Sequence, residues 1–319
     1  MTVFDEARHL RGAKDVKEAR GPLTRHLAKW GLIFISPWII GFLLFTLIPM
    51  VLSLLMTFTN FNITEPDSIR FIGLENYARL FTDADLRAAS ASTFKFFILA
   101  IPFAVIQPIV MAAMLNAKPL RGKRYFTTLF YMTYMVPLVS AILIWQGMLN
   151  GETGWVNRFL EQVGISGPDW LQSTTWVYPA LILIGLWGVG NAMLFTLITM
   201  QGVPTELYEA STMDGAGYLR QQWSITLPLV TPIIFYNLIL AVIGLMQYFT
   251  IPYILSRGTG QPGNALLFYN MHFYRTAFRF QNMGYGATLA WLLFVVAMAF
   301  TIFLFWSAKF WVYSPGGRD

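Results

Sequence analysis

The residue types that do chemistry are scarce in this chain and poorly spaced for catalysis. Cysteine is absent, so thiol nucleophiles, thiolate metal sites and disulfides are excluded. The three histidines, His9, His26 and His272, stand far apart, with no pair at metal-ligand spacing. No metal site and no resident cofactor is therefore expected. Carboxylates gather in one informative stretch, 202–228, which carries Glu206, Glu209 and Asp214. Pro204 can open a short helix there, where its missing N–H costs nothing, and Glu206 in the first turn suits the helix dipole. The sequence Asp214, Gly215, Ala216, Gly217 should stop that helix, because glycine tolerates positive φ. A second short helix is expected over 218–226, ending before Leu227 and Pro228. Neither is long enough to span a bilayer, and on spacing alone the pair reads as a helix–turn–helix connection.

The elements that carry this stretch are set by composition. Of 319 residues, 56% are hydrophobic and 12% charged, about half the roughly 25% charged share of a soluble domain. Mean hydropathy is +0.54. So few charges cannot solvate a globular surface, which excludes a water-soluble enzyme and a disordered protein and makes membrane lipid the main solvent. The pI near 9.5 does not indicate nucleic acid, because the basic residues are not clustered on a folded domain. Six windows lack Asp, Glu, Lys and Arg, and each exceeds the ~20 residues of a spanning helix. Trimmed at turn residues they predict helices at 30–58, 94–115, 125–149, 177–199, 229–254 and 286–308. Prolines inside or near them, Pro37, Pro49, Pro102, Pro108, Pro137, Pro179 and Pro252, predict kinks or irregular backbone.

Orientation follows from Lys and Arg. Seven lie before residue 30, four lie at Lys118, Arg121, Lys123 and Arg124, and Arg220, Lys309 and Arg318 share that side. The opposite loops hold Arg70, Arg79, Arg87, Lys95, Arg158, Arg257, Arg275 and Arg279. The richer side should be cytoplasmic, with both termini inside. The expected organisation is a basic cytoplasmic tail and interfacial helix over 1–29, a membrane domain over 30–310 and a cytoplasmic tail over 311–319. The long basic start lacks the pattern of a cleavable signal.

The 202–228 stretch resembles the EAA loop of binding-protein-dependent ABC importer permeases, whose pattern is E-A-A, three residues, G, nine residues and I-x-L-P. Glu209, Ala210, Gly215, Ile225, Leu227 and Pro228 fall on it, with Ser211 replacing the second alanine. Phe71, Gly73, Leu74, Asn76 and Tyr77 resemble the F-x-G-L-x-N-Y stretch of carbohydrate-type permeases. The 252–286 region, with GTGQPG at 258–263, also looks like them, although its glycine-rich turn departs from the usual wording. The set is similar to the sugar permease family that includes maltose and glycerol-phosphate importers.

This resemblance implies an all-α membrane protein, a polytopic bundle of six transmembrane helices with a cytoplasmic coupling helix of the type I ABC importer kind. It implies residence in a bacterial or archaeal cytoplasmic membrane and several partners. These are a second homologous permease subunit, a cytoplasmic ATPase dimer and an extracytoplasmic solute-binding protein. The substrate class implied is carbohydrate. Glu209, Ala210, Ser211, Asp214, Gly215 and Ala216 would contact the ATPase. The chain has no G-x-x-x-x-G-K-[ST] phosphate loop, so ATP and Mg would be bound by that partner and the chain itself would be no enzyme.

A solute pathway needs polar and aromatic groups facing the bundle interior. Ala241, Gly244, Leu245 and Tyr248 share one face of the fifth predicted helix, and Trp187, Gly188 and Asn191 share one face of the fourth. Counted from Glu209, these positions match those that line the sugar site in family members. Tyr248 and Trp187 could stack on a sugar ring, and Asn191 offers donor and acceptor to hydroxyls. Ordinary helix packing accounts for the same residues equally well. The competing functions are a permease of the same type for a non-sugar solute such as glycerol phosphate, a membrane-embedded transferase, or a passive channel. The transferase would want paired carboxylates or histidines within the windows, which hold none.

Overall fold

A computed structural model describes residues 22–117 and 119–314. The expected basic tail as far as residue 21, and residues 315–319, lie outside it. The described residues are mostly helical, with two isolated bridges, Thr59 to Phe71 and Asn62 to Asn282, and no strand. Four apolar helical runs are each long enough to cross a membrane: Leu27–Met56, Ala84–Asn116, Thr231–Leu255 and Met283–Trp311. Two bent pairs complete the bundle, Lys123–Tyr134 with Leu138–Met148 at 97°, and Val177–Trp187 with Gly190–Gln201 at 52°. With each bent pair counted as one crossing, the bundle has the expected six.

In chain order the helices are α1 (Pro22–Phe42), α2 (Ile48–Met56), α3 (Glu75–Arg79), α4 (Ala84–Asn116), α5 (Lys123–Tyr134), α6 (Leu138–Met148), α7 (Trp155–Gln162), α8 (Val177–Trp187), α9 (Gly190–Gln201), α10 (Thr205–Met213), α11 (Tyr218–Gln221), α12 (Leu227–Leu229), α13 (Thr231–Met246), α14 (Thr250–Leu255), α15 (Tyr269–Tyr274) and α16 (Met283–Trp311). Residues 22–29 continue directly into the first crossing as part of α1. A π-turn, Leu43–Leu47, joins α1 to α2 just ahead of Pro49, and another, Gln222–Thr226, precedes Pro228. A proline lacks the donor and crowds the carbonyl four residues back, and the wider turn relieves both.

Several sequence expectations change. The predicted helices 125–149 and 177–199 are each two helices. In the first, Pro137 is extended (φ −55°, ψ 130°) and caps α6, and a residue ahead of proline is pushed out of the helical region. The second breaks at Gly188 and Val189. The helix expected at 94–115 begins at Ala84, where the Asp83 carboxylate accepts from the Leu86 N–H at 3.0 Å. Lys95 bounds the charge-free window, yet Lys95, Arg87 and Asp85 all lie within the helix. The second short helix does not end before Leu227: helical backbone runs from Tyr218 through the π-turn to Leu229.

Two apolar clusters hold the bundle. One gathers Phe96, Ile142, Tyr178, Leu181, Ile184 and Phe268. The other gathers Ala112, Leu115, Met193, Leu197, Val230 and Ile234 beside the 202–228 connection. No residue of Leu27–Met56 is buried within this chain.

Candidate functional site

The connection between α9 and α13 is a compact knob. Helix α10 ends at Asp214, followed by Gly215 at φ +77°. The Ala216 N–H donates to Ser211 O at 2.9 Å and the Gly215 N–H to Thr212 O at 2.9 Å. These two bonds form a Schellman stop, satisfying carbonyls that the helix end leaves open. Gly215 is the residue that needs left-handed backbone; Gly217, at φ −74°, does not, contrary to the expectation for both glycines.

Side chains then tie the two short helices together. The Gln221 side-chain amide donates to Thr212 Oγ1 (2.9 Å), Ser211 Oγ (3.0 Å) and Tyr208 O (3.3 Å). Tyr208 and Thr226 hydroxyls pair at 2.8 Å. Tyr218 OH donates to Ala113 O at 3.0 Å, anchoring the knob to the end of α4. Ser211, the departure from the EAA pattern, thus contributes an acceptor as well as small size. Glu206, Glu209, Ala210, Thr212, Asp214 and Gly215 are exposed, Ser211 and Ala216 half-buried, and Met213 is 88% exposed. The outcome is a rigid, outward-facing surface of acidic and small residues with an apolar tip.

The predicted pathway residues lie where two crossings are interrupted. Breaking α8 from α9 frees carbonyls within the apolar bundle, where no water can satisfy them. Gln107 of α4 donates to Leu186 O at 2.7 Å, and Thr133 of α5 donates to Trp187 O at 2.7 Å. A Cβ on Gly190 would sit 2.8 Å from Phe130 O and 2.9 Å from Tyr131 Cα, so α9 can start against α5 only with glycine there. Trp187 meets Trp145 edge-on at 6.4 Å. Asn191 is half-buried, and its side chain makes no hydrogen bond among the described residues.

The second interruption separates α13 from α14, and Asn270 donates to Gln247 O at 2.9 Å. Ala241 and Leu245 are half-buried, and Gly244 is exposed with open space beside it. Tyr248 is packed, its ring 4.8 Å from Phe96 and 5.8 Å from Phe268. Its hydroxyl is sealed from solvent without a hydrogen-bond partner among the described residues. Leu245 and Tyr248 join the cluster that holds Ile184 of α8, which does not include Trp187, Gly188 or Asn191. The sequence reading missed Gln107, Thr133 and Asn237, the last donating to Thr196 Oγ1 at 3.1 Å between α13 and α9. An amide in an apolar window was the available signal for Gln107 and Asn237.

At the other end of the bundle a polar network fixes the helix starts. Asp83 Oδ2 accepts from Tyr285 OH at 2.8 Å and lies 3.1 Å from His272 Nε2. Burial opposes ionisation of Asp83, but the Leu86 amide, Tyr285 hydroxyl and His272 hold its carboxyl below the usual range. Burial pushes His272 down despite the neighbouring Asp83, so the contact is a hydrogen bond from a neutral imidazole. Asn76, within the F-x-G-L-x-N-Y stretch, donates to Thr57 O (2.8 Å) and Thr59 O (2.9 Å), and Tyr77 OH pairs with Thr57 Oγ1 at 2.8 Å. That stretch staples the first loop to the end of α2.

Comparison with known proteins agrees with this geometry. The model of the binding-protein-dependent transport system inner membrane component family matches residues 91–312. The chain is 35% identical over 305 residues to the probable ABC transporter permease protein YesP of Bacillus subtilis, covering 95% of this chain and 97% of that one. It is 28% identical to the lactose transport system permease protein LacF of Rhizobium radiobacter, covering 91% and 98%. The fold matches a chain in the crystal structure of a bacterial alginate ABC transporter bound to an alginate pentasaccharide-carrying periplasmic protein. The TM-score is 0.75 at 22% identity, over 90% of this chain and 95% of that one. Interrupted apolar crossings, a knob on one connection and a family match over most of the length converge: the chain belongs to the binding-protein-dependent transport system inner membrane components, the permeases of ABC transporters.

Proposed function

We propose that this chain is one of two homologous permease subunits of an ATP-driven importer for carbohydrate. An extracytoplasmic binding protein delivers the solute, and a separate cytoplasmic ATPase dimer, which binds ATP and Mg, drives the cycle. The carbohydrate class is supported by relatives such as the lactose permease. The Lys and Arg bias supports a cytoplasmic knob and cytoplasmic termini in a bacterial or archaeal cytoplasmic membrane.

The observation that carries the reading is the cross-tied knob. Force applied to Glu209, Ala210, Ser211 and the Asp214-Gly215-Ala216 turn would pass to the bundle through two routes, the Tyr218 bond to α4 and the continuous helix into α12. A frayed loop would absorb the same displacement. The solute would pass the interrupted crossings, with Trp187, Gly188 and Asn191 on one side and the face of Ala241, Gly244, Leu245 and Tyr248 on the other.

The test is reconstitution with a partner permease and ATPase that co-purify with it. Asp214→Lys and Gly215→Trp should abolish uptake and solute-stimulated ATP hydrolysis while leaving membrane insertion and thermal stability near normal. Normal uptake in both variants would sink the coupling role.

A further inference from the structure

The end of the bundle opposite the knob carries a cavity that the coupling and pathway readings do not use. It is about 350 Å³ in volume and is lined by Tyr253, Arg257, Tyr274, Arg275, Phe278 and Arg279, with Gly258 at its edge. That volume falls within the range of small-molecule sites. Its aromatic side is continuous: Tyr253 and Tyr274 rings meet at 5.4 Å, Tyr274 and Phe278 at 5.1 Å, and Phe249 contacts both tyrosines at 5.1 Å. Three arginines line the same cavity. No carboxylate pairs with Arg257, Arg275 or Arg279 among the described residues. Arg257 and Arg279 are exposed, while Arg275 is half-buried against the Phe280 ring at 5.6 Å, its Nε sealed from solvent without a hydrogen-bond partner.

Three guanidinium groups beside one cavity, none neutralised, repel one another and favour an anion between them. The guanidinium fork matches a carboxylate in two parallel bonds. Aromatic faces accept the apolar C–H faces of a sugar ring. Charge and apolar platform lie side by side, as a ligand with a carboxylate on a sugar ring requires; a lipid phosphate or an acidic protein side chain has no use for the platform. Tyr253 stands on α14, the helix that follows Tyr248 in the chain.

We propose that this cavity is an entry subsite for acidic saccharides, holding a uronate-type carboxylate on Arg257, Arg275 and Arg279 while the sugar ring lies on Tyr253, Tyr274 and Phe278. The inference rests on the carbohydrate reading above and narrows its substrate class.

The experiment uses the assembled transporter in neutral-lipid nanodiscs, without binding protein. Three disaccharide probes are compared: cellobiouronate, its methyl ester and neutral cellobiose. Cellobiouronate should bind at least about tenfold more tightly than the ester, a preference that falls with salt. In the Arg257→Gln/Arg279→Gln variant the preference should collapse to about threefold or less, with cellobiose binding unchanged. Equal binding of acid and ester, or an acid preference that survives the double variant, overturns the subsite. So does a double variant that keeps the acid preference but, in parallel assays with binding protein or with anionic lipid, loses affinity for one of them, which would assign the arginines to docking or to lipid. If the acid is not preferred, or no saccharide binds here while the full transporter with its binding protein takes one up, the subsite alone fails; if the full transporter, binding protein included, takes up no saccharide, the carbohydrate reading fails with it.

Discussion

Replacing Gly215 separates two reasons for a glycine at the tip of the knob. The residue sits at φ +77°, and a Cβ built there meets nothing within 4 Å. Within the chain, therefore, the cost of a side chain is conformational rather than steric. Left-handed backbone costs an ordinary L-residue about 1–2 kcal/mol, with asparagine largely exempt. That penalty lowers the ratio of capped to frayed helix end by roughly 5- to 30-fold. The Gln221 and Tyr208 ties favour the capped form independently, so Gly215→Ala should still fold and insert. Its initial uptake in proteoliposomes, and its solute-stimulated ATP hydrolysis, should fall several-fold at matched protein levels. Gly215→Asn should restore most of both. If asparagine is as damaging as alanine, bulk against the partner decides the position instead. If alanine matches the wild type, the helix stop does not matter to coupling. Either result refutes the conformational account.

Other outcomes follow from the same geometry. Tyr248→Phe removes a buried hydroxyl that has no partner, so thermal stability in detergent should hold or rise, whereas an unmet polar group costs about 1–3 kcal/mol; the apparent KM for solute should rise, and an unchanged KM would place Tyr248 in packing alone. Gln107→Leu should destabilise by about 1–3 kcal/mol, because Leu186 O loses its donor, measurable as a lowered denaturation midpoint. Acidification should destabilise the Asp83–His272 network. Both groups have lowered folded-state pKa values, so their stabilising contributions are present above the unfolded values and are lost as pH falls, from about 6.5 downward for His272 and below about 3.8 for Asp83. Asp85 and Arg275 also face His272. His272→Gln should therefore flatten the fall in melting temperature between pH 7 and 5, and an unaltered slope would remove His272 from the network.

Six crossings and the knob were legible because both rest on local rules. Apolar windows must exceed the bilayer thickness, and Gly215 marks a helix stop in any context. The breaks at Pro137 and Gly188 were less legible. Proline and glycine are common in membrane helices, and only neighbours such as Gln107 and Thr133, able to take the freed carbonyls, make a sharp bend affordable. Lys95 misplaced a helix start for a related reason: a charge-free window finds hydrocarbon, not helix, and α4 continues beyond it.

For Tyr248 the difference is sharper. Sequence spacing put it on the same face as Ala241 and Gly244, open to a solute or to packing alike. Tertiary structure set its ring between Phe96 and Phe268, residues far from it in the chain. It likewise gathered Arg257, Arg275 and Arg279 around one cavity, although in the sequence they are separate loop cations. Sequence alone determined solvent, crossing number and the knob's local turn, since hydropathy and backbone preference act within a few residues. The meeting of distant side chains was decided only when the bundle packed, because close contact depends on how interrupted helices bend and which neighbours satisfy them.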